Sequence, residues 1–260
     1  MGACLSAEPT NQSAASAAPR TKTAQAAAPG AGAGVADVHV NVRAAPATVN
    51  ESVANLKNKK FFKKVREVDT NRDYSILIDT SGSMTGERWA QAKAALEHLV
   101  PAVTECDADG ITVYFFNMKY EKCENIKSAA HVMDMFSKRQ PGGGTYLASV
   151  LDDAVKPDGV DSSGARRPET VLVISDGEPS DQKAVERVII NATKQYMKKD
   201  SDLSITFIQV GDDENAARWL AELDDGLEAA GAAFDCVDTI GMKDLIGTSF
   251  AELIRLSLAD

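Results

Sequence analysis

The sequence predicts an α/β fold of three layers, α/β/α, whose central sheet is mostly parallel with one antiparallel edge strand. Two observations carry this. From Asp73 onward, short apolar runs of strand length alternate with amphipathic stretches at helical spacing, the pattern of parallel strands joined by covering helices. The 260 residues, 44% hydrophobic and 25% charged, suffice for one ordinary buried core and a tail.

In chain order, the strand candidates are YSILI at 74–78, ITVYFF at 111–116, VLVIS at 171–175, LSITFIQV at 203–210 and FDCVD at 234–238. Between them, Glu87–Val103, Tyr146–Val155, Asp181–Lys198 and Glu214–Leu223 place apolar residues near the helical period. A last helix spans about Met242–Leu258. The first helix buries Trp89, Ala92, Leu96 and Leu99 on one face, and Pro101 bends or ends it. A hairpin partner at Glu121–Ile126 supplies the antiparallel edge. There is no internal repeat.

The stretch 1–55 is mostly Ala, Pro, Ser, Thr and Gly, with no period that could hold a core, and reads as a disordered tail. Residues 56–72 form a basic linker and 73–260 the folded domain. Through Asp69 the chain carries nine Lys and Arg against five Asp and Glu; the remainder carries 19 against 33. A basic tail therefore precedes an acidic body. The net charge of -10 argues against nonspecific nucleic-acid binding, which needs a basic field to release counterions from phosphates. No run approaches the roughly 18 apolar residues that span a bilayer. Cys4, Cys106, Cys123 and Cys236 show no CxxC pair and no zinc-like spacing, so a reducing, intracellular compartment is expected. Cys106 and Cys123, which flank the second strand, read as packing or surface thiols.

In an open parallel sheet, binding chemistry gathers beyond the carboxyl ends of the strands. YSILI runs out into DTSGSM, giving Asp79, Ser81 and Ser83; VLVIS runs out into Asp176, Gly177 and Glu178. Between them lies PGGGTYL at 141–147, where three glycines free the backbone and Thr145 is the expected cap of the next helix. These loops supply hydroxyls and carboxylates with no histidine or thiolate beside them, a ligand set for a hard cation such as Mg²⁺ or Mn²⁺ rather than zinc or copper. Alternate residues of a loop leaving a strand point to one side, so Ser81 and Ser83 can face one ion while Gly82 lets the backbone turn.

DTSGSM, Thr145 in GGGTYL and Asp176 in ISDGE together resemble the von Willebrand factor A domain and its metal-ion-dependent adhesion site, D-x-S-x-S followed by a separated Thr and a separated Asp. The resemblance covers roughly Asp73 to Asp260 and implies a Rossmann-like three-layer fold. It further implies that Ser81 and Ser83 bind the ion through their hydroxyls, Thr145 directly or through water, and Asp79 and Asp176 mostly through waters. Neutral direct ligands leave the ion much of its charge, and an open position then accepts an Asp or Glu side chain from a partner protein.

Enzyme readings fit less well. No G-x-S-x-G elbow surrounds Ser81 or Ser83, PGGGTY lacks the lysine of a phosphate loop, and His39, His98 and His131 lie away from these loops. No catalytic residue is assigned.

The first residues, MGACLS, fit the template for N-myristoylation at Gly2, and Cys4 offers a palmitoylation site as the second anchor that stable membrane binding needs. KNKKFFKKVR then places Lys57, Lys59, Lys60, Lys63, Lys64 and Arg66 around two phenylalanines. This patch suits an anionic leaflet, at about 1 kcal/mol for each basic residue; a nuclear localisation patch and the solvated start of the domain are its alternatives. The Ala- and Ser-rich, acid-poor start also has the composition of an organelle transit peptide. The sequence thus leads to a non-enzymatic, metal-dependent protein-binding adaptor held by an acylated tail on the cytoplasmic face of a membrane. The alternative is an adaptor subunit of a chelatase-like or ubiquitin-system-like complex, with organelle targeting.

Overall fold

The computed structural model describes residues 72–107, 109–157, 166–177, 179–249 and 252–253. Gly2, Cys4, the basic residues Lys57, Lys59, Lys60, Lys63, Lys64 and Arg66, His39, Glu178 and positions 250–251 and 254–258 of the expected last helix lie outside the described residues.

Six strands among the described residues form one sheet: β1 (Asp73–Asp79), β2 (Ile111–Phe116), β3 (Tyr120–Ile126), β4 (Glu169–Ser175), β5 (Leu203–Gln209) and β6 (Val237–Gly241). Their order is β3-β2-β1-β4-β5-β6, with β3 antiparallel to β2 and every other pairing parallel. The expected edge hairpin is present. Among the described residues these helices accompany them: α1 (Glu87–Cys106), α2 (Ala129–Ser137), α3 (Ala148–Ala154), α4 (Gln182–Gln195), α5 (Glu214–Gly226) and α6 (Met242–Ile246).

Alternation along the central strands divides the core between the two faces of the sheet. Ile76 and Ile78 of β1 and Leu172 and Ile174 of β4 join Leu96, Leu99 and Val103 of α1 and Leu245 of α6. Leu77, Val171 and Val173 point the other way, onto Val150 and Leu151 of α3, Val185 and Ile189 of α4, and Leu220 and Leu223 of α5. Burial on both faces explains why β1 and β4 read as continuous apolar runs rather than alternating ones. No helix among the described residues is long and apolar enough to cross a membrane.

Several elements differ from the sequence expectation, four of them in ways that bear on the packing. Pro101 does not end α1, which continues to Cys106. A proline interrupts one backbone bond, but burial of Leu99, Val100 and Val103 keeps the helix on the sheet. The sixth strand is 237–241 rather than 234–238, because Val237 to Gly241 are the residues in register with Ile205 to Gln209. Phe234 packs on the second core cluster instead of entering the ladder. The last helix breaks at Gly247, where the Thr248 hydroxyl donates to the Asp244 carbonyl at 2.7 Å; helix resumes at Glu252 and Leu253. Finally, α2 was not expected as an element. It is short and leans on α1 through the stack of Phe136 on Trp89, with ring centroids 4.0 Å apart.

Candidate metal centre

From β1 the chain proceeds first to β2 and β3 on one side, then crosses to β4, β5 and β6 on the other. The strand order therefore reverses between β1 and β4, and a crevice opens beyond their carboxyl ends. Asp79 is the last residue of β1, and Asp176 directly follows β4. The topology alone brings these two carboxylates, 97 positions apart in number, to one place.

A continuous hydrogen-bonded chain joins four of the five predicted metal residues. The Ser81 backbone N–H donates to Asp79 Oδ1 at 2.7 Å. The hydroxyls of Ser81 and Ser83 lie 3.0 Å apart. Ser83 Oγ in turn donates to Asp176 Oδ1 at 3.0 Å. Behind them Ser175, the end of β4, donates its hydroxyl to Asp79 Oδ2 at 2.7 Å. Residues Gly82–Met84 make a single 3-10 turn, and the fully buried Met84 side chain anchors that turn in the core. This explains the DTSGSM spacing: the two serines stand on consecutive sides of a glycine in a turn that the methionine pins. Asp79, Ser81 and Asp176 are buried, whereas Ser83 is exposed, so the cluster opens to solvent on the Ser83 side.

Thr145 arrives by its backbone. The Gly82 N–H donates to the Gly143 carbonyl at 2.9 Å and the Gly142 N–H to the Thr80 carbonyl at 2.8 Å, which lays the glycine loop along the serine loop. Gly143 has φ +83°, and a Cβ there would also meet Met118 Cγ at 3.3 Å, so the residue must be glycine. The Thr145 carbonyl accepts the Ser180 N–H at 2.8 Å, tying this loop to the one after β4. Thr145 is not the helix cap that the sequence suggested. α3 starts later, and the Asp181 carboxylate accepts the N–H groups of Leu147 and Ala148 at 3.1 and 3.0 Å. Among the described residues no hydrogen bond joins the Thr145 hydroxyl to the other four.

Sequence reasoning missed Arg88, in the first turn of α1. Its Nη1 donates to Asp176 Oδ2 at 2.5 Å and to the Ser83 carbonyl at 3.3 Å. No signal around position 88 in the sequence pairs it with Asp176, which lies 88 residues further on; the fold brings the two together. Burial pushes the Asp79 carboxyl above its ordinary range; the bonds from Ser175 and Ser81 oppose this, and the Asp176 charge adds to it. A buried carboxylate beside a second one is a place where positive charge is favourable.

The donor set fits a hard cation. Every side-chain ligand candidate is an oxygen, and the 3.0 Å between the Ser81 and Ser83 hydroxyls suits neighbouring ligands of an octahedral ion bound at about 2.1 Å, which stand about 3 Å apart. Calcium, with bonds of about 2.4 Å, wants wider spacing.

A second acidic group lies at the opposite end of β1. Carboxylate oxygens of Asp73, Asp107 and Asp109 fall within 4.8 Å of one another. Arg167 already supplies the countercharge there: Nη2 lies 2.8 Å from Asp73 Oδ1 and 2.6 Å from Asp109 Oδ2, and Nη1 donates to Asp109 Oδ1 at 3.0 Å. This is an ion-pair cluster that closes the lower edge of the sheet.

With the geometry in place, the class is defined: an open, mostly parallel α/β/α domain with an oxygen-rich cluster at its strand-order reversal. The family model of the von Willebrand factor type A domain matches residues 73–234, and the chain belongs to that family. A von Willebrand factor A domain-containing protein of Dictyostelium discoideum is 27% identical over 126 residues, which is 46% of this chain and 13% of that protein; the chain therefore spans only a small part of this relative's length. Among solved structures, the manganese-loaded TRAP protein of Plasmodium vivax aligns with a TM-score of 0.51 at 17% identity, over 70% of this chain and 73% of the other. A mutant of the PilB minor pilin of Streptococcus sanguinis aligns with a TM-score of 0.50 at 11% identity, over 75% and 63%. Identities this low speak for the fold. Domains of this family typically mediate protein interaction or adhesion, with metal binding in many members.

Proposed function

We propose that this domain is a non-enzymatic protein-binding module working through a divalent ion, Mg²⁺ or Mn²⁺, held by Asp79, Ser81, Ser83, Thr145 and Asp176 as a metal-ion-dependent adhesion site. The observation that carries the reading is the hydrogen-bonded chain from Asp79, through the Ser81 N–H at 2.7 Å, to the Ser81 and Ser83 hydroxyls and on to Asp176, each of the last two steps 3.0 Å. The manganese named for the TRAP neighbour is in keeping with it.

When bound, the ion supplies a positive centre able to take an Asp or Glu side chain of a partner. The chain's own residues do the rest. Ser81 and Ser83 present neutral hydroxyls, so little of that charge is quenched. Asp79 has both oxygens engaged, by the Ser81 N–H and the Ser175 hydroxyl, and so holds the loop in shape from behind. The net charge of -10 gives the ion a further use, because an acidic surface without it repels a partner's carboxylate. A thermal-shift series with Mg²⁺, Mn²⁺ and EDTA on wild type and Ser81→Ala tests the site. Metal raises the wild-type melting temperature only; equal melting throughout refutes the reading. A capture experiment repeated in Mg²⁺ and in EDTA then tests whether partner binding follows the metal.

For the tail we propose acylation at Gly2 and Cys4, with the basic residues 57–66 against an anionic cytoplasmic leaflet. The support is the MGACLS start. A reporter fused to residues 1–70 labels membranes and disperses on Gly2→Ala; a reporter imported into an organelle, or cytosolic with Gly2 intact, refutes it.

A further inference from the structure

We propose that Arg88 is the resident cation of this site: its guanidinium competes with the divalent ion for the negative charge of Asp176 and thereby sets the metal affinity. The inference rests on the metal-site reading above and adds to it a residue outside the five-residue motif.

The geometry supports it on three counts. Both oxygens of Asp176 are engaged within the protein, Oδ1 by the Ser83 hydroxyl and Oδ2 by Arg88 Nη1. The bridge joins a buried carboxylate to a partly exposed arginine, with side-chain exposures of 4% and 32%, so the arginine can withdraw toward solvent while the acid stays. Its surroundings set where Arg88 stands at the rim. Its Nη1 reaches the Ser83 carbonyl, and its stem lies against Gly211, where a Cβ would come within 2.9 Å of Nε. The Gly211 N–H is fixed in turn by Gln91 Oε1 at 2.7 Å, one turn along α1. A positive charge is therefore built into the rim, bonded to one of the proposed ligands.

The physical consequence follows from like charges. A guanidinium on Asp176 offsets the burial of two neighbouring carboxylates when no ion is bound, and it repels a divalent ion that binds beside it. Removing it should destabilise the metal-free protein and tighten metal binding, a pair of effects with opposite sign. A residue with a merely structural role would lower the melting temperature equally in both states.

The test titrates Mn²⁺ into the full chain by isothermal calorimetry for wild type, Arg88→Gln, Arg88→Lys and Ser81→Ala, with melting temperatures recorded in EDTA and in saturating Mn²⁺. Arg88→Gln is expected to bind Mn²⁺ about tenfold more tightly than wild type, to melt lower in EDTA and to gain more from Mn²⁺. Arg88→Lys, which keeps the charge but loses the planar fork, should fall between. Unchanged or weaker affinity in Arg88→Gln, or an equal loss of melting temperature with and without Mn²⁺, overturns the inference and leaves the metal site standing. Absence of Mn²⁺ binding in both wild type and Arg88→Gln, or wild-type binding by Ser81→Ala, overturns both together.

Discussion

Ser83 donates its hydroxyl to Asp176 Oδ1 at 3.0 Å, across 93 residues of chain. The two residues leave adjacent strands on either side of the point where strand order reverses, and this bond closes the crevice between them. Because Ser83 is exposed, its loss leaves no buried cavity. Ser83→Ala should therefore change stability in EDTA by less than about 1 kcal/mol. The same variant should lose most of the Mg²⁺-induced rise in melting temperature, which differential scanning fluorimetry reads directly.

Asp181 shapes the site without belonging to it. Its two carboxylate oxygens take the first free N–H groups of α3, and so fix the end of the loop that carries Thr145. Asp181→Ala should cost about 1–2 kcal/mol in urea unfolding, the magnitude of a lost helix cap. Metal stabilisation should fall as well, since the Thr145 loop is no longer held at that end.

Arg167 carries a pH signature. Its hydrogen bonds hold the Asp109 carboxyl below the ordinary range, so that contribution is fully present above the unfolded pKa of about 3.9 and is lost progressively as pH falls from there through the lower folded value. Asp107 behaves oppositely. Burial first, then its bond with Asp109, raises it to about 6, so its contribution is present below the unfolded pKa and disappears as pH rises through 6. Arg167→Gln should leave three facing carboxylates and destabilise by roughly 1–2 kcal/mol at neutral pH, discounted for the exposure of Asp109. The gap between variant and wild type should begin to narrow only below about pH 4 and go on narrowing as pH falls further, as urea unfolding at several pH values can show.

Arg72 immediately precedes β1, yet it is only 1% exposed. It donates to Thr170 Oγ1 at 2.9 Å, to the Ser201 carbonyl at 2.7 Å and to the Glu169 carbonyl at 2.8 Å, binding the entries of β4 and β5 to the start of β1. Arg72→Met removes three hydrogen bonds, two of them buried, and should cost roughly 2–4 kcal/mol in chemical denaturation.

What was legible in the sequence was local. β1, β2, β4 and β5 each carry their apolar signal within six or seven consecutive residues, and Asp79, Ser81 and Ser83 share one turn. Asp176 was legible because it directly follows β4, and Thr145 because it stands in the glycine-rich stretch 141–147 and fits the family pattern. Pairings between distant segments were not legible. Nothing beside Arg88 announces Asp176, nothing beside Asp181 announces the start of α3, and the cluster of Asp73, Asp107, Asp109 and Arg167 draws on three separate parts of the chain. The misplacement of β6 has the same cause. Its register is dictated by β5, while its own sequence offers Phe234 as a misleading apolar start.

The most direct test of the central claim is a calorimetric titration of Mg²⁺ into the full chain, set beside the same titration of Ser81→Ala. The hydrogen-bonded cluster of Asp79, Ser81, Ser83 and Asp176 predicts saturable binding of one ion to the wild type and none to the variant. No saturable binding by the wild type, or equal binding by both, would contradict it.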